Sequence, residues 1–199
     1  PDTPEEFDFG LQHTKIQNWH RRGKYLYAQL VSIGTPQAAG WLGVHLRMTG
    51  QLLWVESHTE VHKHTRVRLF LGKEWEIRFI DQRTFGQMWW IPASKQPEQV
   101  MTGMGKLGLE PFDPAFSVDY LATKLQKSQR NIKTMILDQT LVAGLGNIYA
   151  DEALFLSKIH PNTPAGNLTK SQIKLLRESA IQVLETSIEQ GGTTFSNYL

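Results

Sequence analysis

The feature that most constrains this chain is a change of hydrophobic period near Pro92. From Lys15 to Pro92 apolar side chains recur mostly at alternate positions, with β-branched and aromatic residues set between turn signals. Beyond residue 116 they recur at helical spacing. A period of two buries one face of a sheet, whereas a period of 3.6 buries one stripe of a helix, so the two halves need different packing partners. Strands are expected at residues 15–20, 24–32, 40–46, 51–56, 65–71, 75–81 and 87–91, and seven short strands call for two packed sheets or a small barrel. The loops "SIGTPQAAG" and "ESHTEVHKH" read as outward excursions. Residues 93–116, rich in Pro and Gly, read as a connector with one helical turn near 98–102. Helices are expected at 118–126, 132–138, 148–156 and 170–189, the last with a core-facing stripe of Ile173, Leu176, Ala180, Val183, Leu184 and Ile188. The expected fold is therefore a β-sandwich-like domain over 1–92, a connector over 93–116 and an all-α domain over 117–199, with a cleft between the two halves.

Composition narrows the class. At 199 residues, with 40% hydrophobic and 20% charged residues, the chain can bury one substantial core or two small ones. It has no run of 18 apolar residues, so no membrane span is expected, and "PDTPEEFDFG" does not read as a secretory signal peptide. The absence of cysteine excludes disulfides and thiolate-bound zinc within these residues. The net charge of +2 is too small to indicate nucleic acid by itself. Residues 61–90 nevertheless carry Lys63, Arg66, Arg68, Lys73, Arg78 and Arg83 against Glu74, Glu76 and Asp81, a pattern that solvated strand faces would also produce.

The stretch "LVAGLGNIYADE" joins two of the expected helices. Gly144 and Gly146 permit tight turns, and Asn147 is placed to cap the second helix through its side chain. The first backbone amides of that helix would then face an anion, a phosphate fitting best. Asp151 and Glu152 read as first-turn carboxylates, which confine such a contact to the helix tip. A plain capped helical corner is the alternative.

"GLGNIYADE", with "IKTMILDQ" before it and "LFLSKIHP" after it, resembles the helix–two-turns–helix signature of the formamidopyrimidine-DNA glycosylase family, bacterial oxidised-purine repair enzymes related to endonuclease VIII. "RRGKYL", "HLRMTG", "DQRTFG" and "GGTTF" match further family motifs in the same order, so the resemblance spans roughly residues 10–199. It implies a glycosylase and abasic-site lyase that removes 8-oxoguanine and formamidopyrimidines and nicks the strand by β,δ-elimination. The implied partner is double-stranded DNA with a damaged base or an abasic site, bound by a monomeric cytoplasmic, nucleoid-associated protein.

The resemblance also carries roles to particular residues. Lys24 corresponds to a lysine that reaches the DNA backbone beside the lesion, and His45 and His64 to positions near DNA phosphates. Met48, Arg83 and Phe85 resemble the trio that enters the duplex when the damaged nucleotide turns out. A thioether fills an irregular void, a ring wedges a base step, and a guanidinium donates to the orphaned base. Taken singly, Met48 and Phe85 read as core residues and Lys24 as a solvated strand lysine. Lys133 is expected to face the lesion pocket or its backbone, and Gly146 and Asn147 to grip phosphate at the helix tip. His58, His62 and His64 together suggest a metal cluster only weakly; no metal or cofactor is expected within this chain.

Three departures from the family pattern stand beside these matches. The family nucleophile is the proline of an N-terminal "PELPE", whose secondary amine attacks C1′ while the adjacent glutamate moves protons. Here "PDTPEEF" stands close to "RRGKYL", without the intervening helix and first strand, so Pro1, Asp2 and Glu5 are poor substitutes. The lesion-capping loop and four-cysteine zinc hairpin that follow "GGTTF" in the family are also absent, and one structural zinc is expected only in a complete protein. Two alternatives to an oxidised-purine glycosylase stand beside it: a catalytically inactive DNA-binding fragment of that family, or an endonuclease VIII-like glycosylase for pyrimidine lesions.

Overall fold

The structure is a computed structural model that describes residues 3–35 and 37–192. The chain divides into two compact units, residues 1–105 and 106–199. The expected connector is shared between them. Met101, in the first unit, is buried with its sulfur against Gly43, and Leu109, in the second, bridges Val142.

The first unit begins with a helix absent from the sequence reading, α1 (Pro4–Leu11). Thr3 accepts a hydrogen bond from the Glu6 amide while the Glu6 carboxylate accepts one from the Thr3 amide, and Pro4 occupies the first turn. Seven strands follow: β1 (Thr14–Arg22), β2 (Tyr25–Ser32), β3 (Ala38–His45), β4 (Gly50–Glu56), β5 (Thr65–Leu71), β6 (Trp75–Asp81) and β7 (Gln87–Ile91). They form two antiparallel sheets, one ordered β1-β2-β3-β7 and the other β4-β6-β5. Ala28, Leu30, Leu42 and Val44 of the first sheet meet Phe79 of the second, with Leu52, Val67 and Leu69 beside it and Phe7 and Leu11 of α1 completing the cluster. The alternation seen in the sequence is thus the inner face of a sandwich.

The other face of the β4-β6-β5 sheet buries charge. Glu76 is fully buried, and its carboxylate takes hydrogen bonds from Arg78 and, at 2.8 Å, from Arg68. Burial pushes this carboxyl up, but the hydrogen bonds and charges of Arg68 and Arg78 outweigh it and hold it below the usual range. Arg78 directs its remaining donors to the carbonyls of Glu60 (2.7 Å) and Thr59 (2.5 Å). The loop "ESHTEVHKH", read as an outward excursion, is therefore tied onto the sheet by a buried guanidinium.

Within the second unit, a short helix α2 (Pro97–Val100) having closed the first, come α3 (Val118–Leu125), α4 (Ile132–Leu137), α5 (Asn147–Leu156) and α6 (Lys170–Glu189). Leu121, Leu125, Ile132, Ile136, Leu154, Ile173, Leu176 and Ala180 share one core. Thr169 caps α6 reciprocally with Gln172. The expected apolar stripe of α6 stops short of its end: Ile188 is 66% exposed, and the buried residue there is Ser187, whose hydroxyl pairs with that of Tyr149 at 2.6 Å.

Candidate nucleic-acid interface

In the first unit the candidate residues lie at strand ends and in the turns beyond them. His45 closes β3 opposite Tyr25, which opens β2, and Lys24 precedes Tyr25. The Tyr25 ring packs edge-on against the imidazole at 4.6 Å. Nδ1 of His45 accepts the Arg47 amide at 3.0 Å, which puts the ring proton on Nε2. Burial, then the positive charges of Arg47 and Lys24, lower this imidazole to about 4, so it is neutral at pH 7. His45 therefore offers an N–H donor rather than a charge. Desolvation and then Arg47 lower the Lys24 ammonium as well, although the residue as a whole is exposed. A cation that already lacks part of its water loses less on meeting an anion.

Two further turns carry Met48, Arg83 and Phe85. Met48 is 67% and Phe85 53% exposed, and the Arg83 guanidinium lies 5.0 Å from the centre of the Phe85 ring. Exposed apolar side chains next to a cation, on turns held from beneath, are fitted to enter a stacked or apolar surface. Each turn contains a non-glycine residue with left-handed backbone, Arg47 at φ 54° and Thr84 at φ 57°. The anchor beneath both is Asp81. Its carboxylate accepts the Thr49 hydroxyl, the Arg83 amide at 3.3 Å and the Gly86 amide at 2.7 Å. Gly86 is required here by space, since a Cβ would lie 2.4 Å from Cζ of Phe79.

In the second unit the α4–α5 turn has its own internal support. Gln139 accepts the Gly144 amide at 3.0 Å and donates to the Leu145 carbonyl at 2.9 Å. Gly144 has φ 92°, which accounts for that glycine, but Gly146 is extended and serves as the N-cap of α5. As a glycine, Gly146 has no side chain with which to cap this helix, and an N-terminus of this kind is suited to an external acceptor. Lys133 holds the Asp151 carboxylate at 2.8 and 2.9 Å. Asp151 stands one turn beyond Asn147, which places Asn147, Asp151 and the Lys133 ammonium on one side of α5.

The comparisons with known proteins show the family. Residues 1–88 match the formamidopyrimidine-DNA glycosylase N-terminal domain and residues 107–198 the H2TH domain of the same enzymes. The formamidopyrimidine-DNA glycosylase of Nostoc punctiforme is 59% identical over 199 residues, covering all of this chain and 67% of the relative. The chain belongs to the formamidopyrimidine-DNA glycosylase family. The corresponding enzyme of Acaryochloris marina is 57% identical, with 100% of this chain and 69% of the relative covered. Among solved structures, MutM in complex with carbocyclic 8-oxo-G containing DNA superposes with TM-score 0.83 at 34% identity, covering 96% of this chain and 70% of that one. Lactococcus lactis Fpg with abasic-site DNA gives TM-score 0.78 at 34% identity, covering 92% and 64%. The chain thus spans about two thirds of the length of these formamidopyrimidine-DNA glycosylase relatives.

Several expectations change on the structure of this family member. Asn147 is exposed and opens α5 rather than capping it, the cap being the extended Gly146. Asp151 and Glu152 lie beyond the first turn. Lys133, expected to face the lesion pocket or its backbone, is paired with Asp151 where α4 and α5 pack side by side. His64, expected near a phosphate, is half-buried, and its carbonyl accepts the Asp81 amide at 3.0 Å. The family zinc finds no ligand set in these residues: the sequence has no cysteine, and among the described residues no three His, Asp or Glu side chains converge. Pro1, Asp2 and residues 193–195 of "GGTTF" lie outside the described residues. The sequence reading missed Asp81, Thr49, Arg47 and Gln139. The spacing of Asp81 five residues before Gly86 was the available signal for the first of these, since a carboxylate before a short turn can accept that turn's amides.

No helix among the described residues is long and apolar enough to cross a membrane.

Proposed function

We propose that this chain acts on double-stranded DNA carrying an oxidised purine or an abasic site, as part of a base-excision-repair glycosylase and lyase. The observation that carries this reading is the group formed by Met48, Arg83 and Phe85, exposed on two turns with a shared buried anchor. A base buried in a duplex must leave the stack before its glycosidic bond can be reached, and the void has to be filled. Phe85 wedges the base step, Met48 fills the space the nucleotide leaves, and Arg83 donates to the unpaired base opposite. Lys24 and neutral His45 contact the damaged strand from one unit, and the tip of α5, with Gly146, Asn147 and the Lys133–Asp151 pair, binds phosphate from the other. These backbone contacts set position and carry no base preference.

The cleavage chemistry needs an amine and an acid that these 199 residues do not offer in the family's "PELPE" form. The residues by themselves are proposed to bind and open the lesion site without cutting it. The test joins residues 1–199 to the flanking segments of the Nostoc punctiforme relative. The chimera should nick a duplex containing 8-oxoguanine and be trapped on abasic DNA by borohydride, whereas the 199 residues alone should do neither. Trapping of the unextended chain, lost when the Pro1 amine is blocked, would make Pro1 a nucleophile and overturn the second half of this reading. A chimera that folds and binds lesion DNA but cuts nothing would overturn the first.

A further inference from the structure

We infer that Asp81 is a positioning residue that sets the inserting group for lesion DNA, by tying the turns that carry Met48, Arg83 and Phe85 to one buried point. The inference rests on the reading of those three side chains as the part that enters the duplex.

Asp81 ends β6 and is 1% exposed. One carboxylate oxygen accepts the Thr49 hydroxyl and the Arg83 amide, the latter at 3.3 Å; the other accepts the Gly86 amide at 2.7 Å. Thr49 is a relay as well as a donor, because its oxygen accepts the Arg83 amide at 3.1 Å. The turn next to Met48 is therefore bonded both to Asp81 and to the turn of Arg83 and Phe85. The backbone of Asp81 reaches a third segment: its amide donates to the His64 carbonyl at 3.0 Å, and its carbonyl accepts Nε of Arg66 at 2.8 Å. One residue thus links every stretch of the first unit that carries an inserting side chain and the loop that carries His64.

The chemistry of this anchor argues for geometry over stability. Among the described residues no Lys, Arg or His forms an ion pair with the Asp81 carboxylate; its donors are one hydroxyl and backbone amides. A buried carboxylate without a countercharge is a costly way to fasten two turns, and an apolar contact would stabilise them with a smaller desolvation penalty. A carboxylate does what an apolar contact cannot, since it accepts several donors along fixed directions. Both turns need such constraint, because Arg47 and Thr84 hold left-handed backbone that a free turn would relax. Burial pushes the Asp81 carboxyl up, but the bonds from Thr49, Gly86, Arg83 and Phe85 outweigh it, so the acceptor stays ionised at neutral pH.

The experiment compares the wild-type chain with Asp81→Asn and Thr49→Val. Asp81→Asn keeps the size but turns one acceptor into a donor facing amide donors. Thr49→Val removes the relay without touching the buried charge, and Thr49→Ser should restore it. Two readouts are used: hydrogen exchange at the Arg83 and Gly86 amides without DNA, and fluorescence of 2-aminopurine opposite a tetrahydrofuran site, which responds when a side chain enters. Asp81→Asn should speed exchange at both amides and lower the preference for tetrahydrofuran over undamaged duplex about tenfold, the order expected from losing one charge-assisted hydrogen bond. Thr49→Val should act in the same direction, and undamaged-duplex binding should stay within about twofold for both variants. Faster exchange with unchanged lesion preference and 2-aminopurine response would overturn the positioning role, as would an equal loss of affinity for both duplexes. If the wild-type chain itself shows no 2-aminopurine response, the insertion reading fails and takes this inference with it; a wild-type response that persists in both variants sinks the inference alone.

Discussion

The acid sensitivity of the first unit should be traceable to His45. This imidazole is 7% exposed and lowered to about 4, whereas an exposed histidine titrates near 6.5. Between those values the unfolded chain binds a proton that the folded chain refuses, so stability is full above about 6.5 and falls as the pH drops toward 4. The whole gap corresponds to about 3 kcal/mol, with a slope of at most about 1.4 kcal/mol per pH unit. His45→Asn retains an acceptor for the Arg47 amide but does not titrate, and so should flatten this acid limb while losing the ring contact with Tyr25. Urea unfolding followed by tryptophan fluorescence is suited to the measurement, because all six tryptophans lie within residues 1–105. His64 is present in both proteins and cancels in the comparison. Glu76 and Asp81, with carboxyls held low, lose their contributions only at more acid pH than the upper part of this window. Parallel curves for the wild type and His45→Asn between pH 7 and 5 would refute the reasoning.

Asn147→Ala should leave stability within about 0.5 kcal/mol, because Asn147 caps nothing, and should weaken binding to damaged and undamaged duplexes alike. Thermal unfolding and binding titrations of the same preparation check both halves. Arg78→Ala leaves the Glu76 carboxylate buried with only the Arg68 pairing and frees the loop that carries His62 and His64; it should cost about 3–5 kcal/mol, read as a lower urea midpoint of tryptophan fluorescence. Lys133→Ala leaves Asp151 uncompensated beside the tip of α5 and should reduce affinity for both duplexes, whereas Lys133→Ala with Asp151→Ala should recover much of the loss.

Much of this fold is legible because its strands and helices announce themselves by period. Alternation and turn residues alone place the strands to within two residues of their ends, since each sheet has one face on the sandwich core. Helix α1 escapes for a physical reason: none of its residues is fully buried, so its apolar signal is weak, and only the Thr3–Glu6 capping pair marks it. Ile188 misleads in the opposite sense, continuing a helical stripe past the point where the core ends. The candidate site is legible where single side chains stand exposed on turns, as at Met48, Arg83 and Phe85. It is not legible where a charge acts inward. Asp81, Glu76 and Arg78 read as solvated charges alternating along strands, and only the folded loops above them make them buried anchors. Asn147 shows the same limit at a helix end, because which of two adjacent residues becomes the cap depends on backbone angles that sequence does not specify.

In the proposed function, the first unit senses a gap in the base stack with Met48, Arg83 and Phe85. The most direct measurement is the affinity of the chain for a tetrahydrofuran-containing duplex and for the same duplex undamaged, at one fixed salt concentration, repeated with Arg83→Ala and Phe85→Ala. The account predicts tighter binding to the tetrahydrofuran duplex, and in both variants loss of that preference with undamaged binding retained. Equal wild-type affinity for the two duplexes, or a preference that survives removal of both side chains, would contradict it.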